Sequence, residues 1–82
     1  MAASGEVVLT EDWAEIIDGS DDFALQNVGS EVVNLWWGAT APTGSEVGFK
    51  VYPGDGVDSG TFGTGPVFAK AARSVGRVVI NE

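Results

Sequence analysis

Carboxylates dominate the reactive side chains of this chain: twelve Asp and Glu stand against four Lys and Arg, with no His and no Cys. Without those two residues the histidine-based triads and thiolate nucleophiles are unavailable, and structural zinc loses its preferred ligands. A glycosidase-type carboxylate pair remains formally open, but the acids fall mostly in turns or at alternating outward positions. A Ser–Lys dyad on Lys50 or Lys70 has no supporting motif. Asp18, Asp21 and Asp22 form one acidic group and Asp55 and Asp58 another, yet neither follows the calcium-loop spacing of alternating ligands and a distal Glu. They read as solvated turn aspartates. The glycines from Gly54 to Gly65 match neither GxGxxG nor the P-loop pattern and read as tight turns. We therefore expect no catalytic residue, no metal and no cofactor, and a protein that works by contact.

The elements that must present those contacts are short. Eight strand-like runs, Glu6–Thr10, Trp13–Asp18, Phe23–Asn27, Val32–Gly38, Phe49–Tyr52, Val57–Phe62, Pro66–Ala71 and Arg77–Asn81, alternate with Gly, Pro, Asp and Ser. Even spacing of this kind, with no helix-length periodic stretch, predicts an all-β fold. The expected architecture is a single compact antiparallel β-sandwich or β-barrel, jelly-roll-like, of about seven or eight short strands. At 82 residues it fills one domain, residues 1–82, with a short amino-terminal tail over 1–5. Oligomerisation is the remaining route to added stability in so small a chain without cysteine. Met1 to Glu6 has neither the basic nor the apolar region of a signal peptide, so synthesis in the cytoplasm is expected. The densest apolar stretch, Val32 to Ala41, contains Asn34 and is far shorter than a bilayer span, so no membrane association is expected.

Neighbours in a strand point to opposite faces. Val7 and Leu9 oppose Glu6, Val8 and Thr10; Trp13, Glu15 and Ile17 oppose Ala14 and Ile16; Phe23 and Leu25 point inward, away from Ala24 and Gln26. In the fourth run Val33, Leu35 and Trp37 share one face and Val32, Asn34 and Trp36 the other. Whichever tryptophan is inside, its neighbour points out. Three uses stay open for the outer one: burial under an edge or loop, a protein interface, or stacking on a sugar ring.

Charge is distributed unevenly. Net charge is −8, and all eight acids of the first 31 residues lack any base among them, whereas Glu46, Asp55, Asp58 and Glu82 are balanced by Lys50, Lys70, Arg73 and Arg77. Nucleic acid is not expected as a partner, because phosphate binding rests on clustered Lys and Arg. The acids either keep a small protein soluble or meet the basic carboxyl-terminal segment of a neighbouring subunit.

The order of these segments resembles a group of very small tailed-bacteriophage virion proteins. The resemblance runs through Trp13 and the strand after it, Phe23-Ala-Leu-Gln-Asn-Val-Gly-Ser30, Val33 to Gly38, Ala41-Pro42 and Tyr52-Pro-Gly54. It is most specific at the close, Gly65-Pro-Val-Phe-Ala-Lys-Ala-Ala72 and Gly76-Arg-Val-Val-Ile-Asn-Glu82. It implies a head-decoration or capsid-cement protein on the capsid surface of the virion, often trimeric, with the major capsid protein as partner. Head-fibre, tail or baseplate components, and a glycan- or receptor-binding β module, are the alternatives. Only Met1 to Gly5 precede the first run, so docking through a threaded arm is not expected. Face alternation and charge position single out Trp36, Phe49, Tyr52 and Phe68 as aromatic anchors, with Lys70, Arg73 and Arg77 as polar partners.

Overall fold

The computed structural model describes residues 5–18, 22–38, 40, 42, 48–62 and 65–81. Its strands are β1 (Gly5–Leu9), β2 (Ala14–Ile17), β3 (Ala24–Asn27), β4 (Val33–Trp37), β5 (Phe49–Val51), β6 (Gly56–Asp58), β7 (Val67–Ala71) and β8 (Gly76–Asn81), with a one-turn helix α1 (Ser59–Phe62) after β6. They form two four-stranded antiparallel sheets in the orders β1-β8-β3-β6 and β2-β7-β4-β5. The ladders β1–β8, β2–β7, β3–β6 and β4–β5 are the rungs of one long hairpin, wound so that successive rungs fall in alternate sheets. That winding is the eight-stranded jelly roll, a sandwich rather than a closed barrel.

The period-2 pattern sets the core. Leu9, Ile17, Leu25, Val33, Leu35, Val51, Val67, Ala69, Ala71, Val78 and Ile80 point between the sheets, joined by Phe23 at the entry to β3. β8 shows the alternation without a break, with Gly76, Val78 and Ile80 buried and Arg77, Val79 and Asn81 exposed. Trp37 continues the inward row of β4 and packs on Phe23, ring centroids 6.4 Å apart.

Two segments depart from the sequence pattern. A bulge between Glu15 and Ile17 interrupts the β2–β7 register, so Ile17 faces Val67 in the core while Glu15 is exposed beside Phe68. Strict alternation had placed Trp13, Glu15 and Ile17 together; the extra residue separates them. The sixth run was expected as strand through Phe62 but stops at Asp58. Ser59 ends the ladder: its N–H donates to Phe23 C=O at 3.0 Å, and its Oγ accepts from Phe23 N–H at 3.1 Å and donates to Asp22 Oδ1 at 3.1 Å. The weak strand-formers Ser59 and Gly60 then turn the chain into α1. The stretch Ala72–Ser74 is a turn, with Ser74 at φ 62° and its N–H held by Glu11 Oε2 at 2.7 Å.

One polar side chain ties the sheets together. Asn27 is fully buried; its Nδ2 donates to Glu31 C=O at 2.8 Å and Val51 C=O at 2.9 Å, and its Oδ1 accepts from Gly29 N–H at 3.0 Å. It therefore joins the end of β3 to the approach of β4 and to β5, in the opposite sheet. The adjoining turn Tyr52-Pro-Gly-Asp55 closes through Asp55 N–H to Tyr52 C=O at 2.9 Å, with Gly54 at φ +89°, the geometry a Pro-Gly type II turn requires.

Candidate functional site

The outward face of the β2-β7-β4-β5 sheet collects the aromatic and basic side chains. Register places Lys70, Asn34 and Lys50 in one row across β7, β4 and β5, and Phe68 beside Trp36 in the next row, flanked by Glu15 on β2. Trp13 enters from the residue before β2 and lies across the first row: Lys70 Nζ sits 5.2 Å from its ring centroid. Its Cη2 also lies 3.2 Å from where a Cβ on Gly48 would stand, beyond β4. The bulge in β2 makes this possible by turning Ile17 inward while Trp13 stays outside.

Two polar atoms beneath this layer have no hydrogen-bond partner among the described residues. Asn34 is 6% exposed with its Oδ1 unsatisfied, and Trp13 Nε1 is likewise buried and unbonded. Burying an amide oxygen without a partner opposes stability. Lys50 and Lys70 have no carboxylate within ion-pair distance among the described residues, whereas Arg73 meets Glu31 at 3.4 Å and Arg77 meets Glu6 at 3.0 Å. Thus the two carboxyl-terminal arginines pair with amino-terminal acids of their own chain.

The structure brings together part of the expected set. Trp36, Phe68 and Lys70 share the outer face, and Tyr52, 54% exposed, follows β5 at its end. Phe49 is different: it lies opposite Leu35, on the inward side, but 43% of it is exposed. It lines a crevice of about 160 Å³ with Lys50, Val51, Asp55, Gly56 and Val57, at the open seam between β5 and β6. Arg73 stands in the β7–β8 turn, and Arg77 is on the outer face of the opposite sheet, across from Val8. Trp13, Asn34 and Lys50 were not singled out by the sequence as members of this face; the alternation of Val32, Asn34 and Trp36 was the available signal for Asn34. Asp21 lies outside the described residues; among those described, no three His, Cys, Asp or Glu gather as a metal site.

An arrangement of indoles, a phenyl ring and two ammonium groups on a rigid sheet is suited to recognition through apolar contact and charge. No helix among the described residues is long and apolar enough to cross a membrane. No family model, curated protein or solved structure matches this chain.

Proposed function

We propose that this chain is a non-enzymatic structural protein of a tailed-bacteriophage virion, and specifically a decoration or cement protein that binds between subunits of the major capsid protein and stabilises the head. The observation that carries the reading is the aromatic and lysine-bearing face of the β2-β7-β4-β5 sheet, where Trp13, Trp36 and Phe68 stand with Lys50 and Lys70 in a chain of net charge −8. Interfaces concentrate their energy in such aromatic anchors, and two lysines with no carboxylate in ion-pair distance among the described residues favour a carboxylate-bearing partner. The jelly roll agrees with the reading because viral capsid domains use it, although a fold hosts many functions. The protein is made in the host cytoplasm and ends on the capsid surface. A trimer at a local threefold is the assembly the resemblance implies, and several weak contacts around such an axis multiply in affinity.

Sedimentation with expanded, undecorated heads tests this. Wild type should pellet with heads in stoichiometric amount, and Trp36→Ala or Phe68→Ala should stay in the supernatant while remaining folded. Wild type left in the supernatant would overturn the proposal. The adjacent Trp36 and Phe68 favour a second reading, a glycan-binding module of the kind other jelly rolls form. Retention on immobilised glycans, abolished by Trp36→Ala and accompanied by no binding to heads, would replace the first reading with the second.

A further inference from the structure

The two sheets have four edge strands, and three carry features that discourage pairing with another chain. β2 is bulged, and β5 and β6 are three residues long; bulges and short strands are common ways of blunting an edge. β1 has neither. Gly5–Leu9 runs in unbroken register with β8 over all five residues, its Val-Val-Leu segment favours strand, and among the described residues it pairs with β8 alone.

The directions of its backbone groups follow from one hydrogen bond. Val28 N–H donates to Arg77 C=O at 3.0 Å, so Arg77 directs its backbone toward β3 and the next residue, Val78, directs its own toward β1. Val7, opposite Val78, is therefore bonded to β8, while Glu6 and Val8 turn their N–H and C=O groups away from it. Among the described residues those groups have no strand partner and form an open row on the edge.

We propose that the β1 edge docks a second copy of this chain, antiparallel about a twofold axis at Val7, so that Glu6 of each copy faces Val8 of the other. Four backbone hydrogen bonds close this pairing, two at each Glu6–Val8 position. Two chains of net charge −8 repel over most of their surface, but here the charges are complementary. Each Glu6 is already held by Arg77 of its own chain at 3.0 Å, and this register sets Val8 opposite it instead of another carboxylate. On the outer face the row reads Arg77, Val8, then Glu6 of the second copy, with opposite charges on either side of a valine that is 58% exposed in the single chain. On the inner side the half-buried Val7 meets its counterpart. A single strand edge buries less than a standard interface, so the dimer is weak and forms at high protein concentration. The pairing closes at two copies. It stands apart from the capsid reading and from the threefold assembly implied there.

Sedimentation equilibrium over a concentration series, with amide exchange followed by NMR, tests it. Mass should rise toward two chains, and the Glu6 and Val8 amides, fast in dilute samples, should slow as the dimer fills while Val7 stays protected throughout. Val8→Pro removes an outward N–H without touching the β8 ladder and should abolish the dimer. Val8→Glu sets a carboxylate opposite Glu6 of the second copy at both positions and should weaken association about tenfold, while its own Arg77 supports the fold. Val28→Glu, which adds the same charge away from the edge, should leave association unchanged. A monomer at every concentration, a limiting mass of three chains, or association unaffected by both Val8 variants would overturn the proposal.

Discussion

Replacing Asn27 with alanine removes the side chain that holds the two sheets together at the β3–β4 corner. Three hydrogen bonds go with it, to Glu31 C=O, Val51 C=O and Gly29 N–H, and the bond to Val51 is fully buried. Each ordinary hydrogen bond contributes about 1 kcal/mol net, and a buried group left without a partner costs about 1–3 kcal/mol. The three together predict a loss of about 3–5 kcal/mol. A native domain has only about 5–15 kcal/mol in total, and small domains sit low in that range. For a chain of this size 1 kcal/mol moves the melting temperature by roughly 4–8 °C, so the variant should melt at least about 12 °C lower. Urea unfolding followed by tryptophan fluorescence measures the difference, and an unchanged m-value would show that the two unfolded states are comparable. A loss below about 1 kcal/mol would refute the idea that Asn27 is the polar tie between the sheets.

Other substitutions probe the same architecture. Trp37→Ala, which empties the space against Phe23, should cost about 3–5 kcal/mol, whereas Trp36→Ala on the outer face should cost clearly less; equal losses in urea would contradict the assigned faces. Gly48→Ala should destabilise by more than about 1 kcal/mol, since Gly48 has φ +76° and a Cβ there would lie 2.3 Å from Leu35 C=O; a thermal melt matching wild type would show that the backbone relaxes without cost. Refolding in stopped flow should take milliseconds to seconds, because the β1–β8 rung joins opposite ends of the chain; a microsecond phase carrying the full amplitude would contradict this topology.

Much of the sandwich was legible because its strands have one wet and one dry face. Phe23 and Leu25 against Ala24 and Gln26, and Val7 and Leu9 against Val8, follow from period 2 alone. The same rule left the two tryptophans ambiguous, and the structure assigns Trp37 to the core and Trp36 to the outer face. The β2 bulge was not legible, since an inserted residue shifts the period without an obvious change in composition. Asn27 closes the third run in sequence and Asn34 reads as a polar interruption; both are buried, and which partners Asn27 finds depends on strand order, which local patterning does not encode. The Arg73–Glu31 and Arg77–Glu6 pairs were hidden for the same reason, because winding a long hairpin is what brings the two ends of the chain together. For the candidate face, alternation points to Trp36 and Phe68 and charge position to Lys70, whereas Trp13 joins them by reaching across strands, a contact with no local signature.

Hydroxyl-radical footprinting of the protein, free and bound to expanded heads, shows whether the β2-β7-β4-β5 face is the surface that docks on the proposed capsid partner. Docking through this face should protect Trp13, Trp36 and Phe68, with Val8 and Val79 on the opposite sheet labelled as in the free chain. Binding that instead protects Val8 and Val79 and leaves those aromatics labelled, or no binding at all, would contradict it.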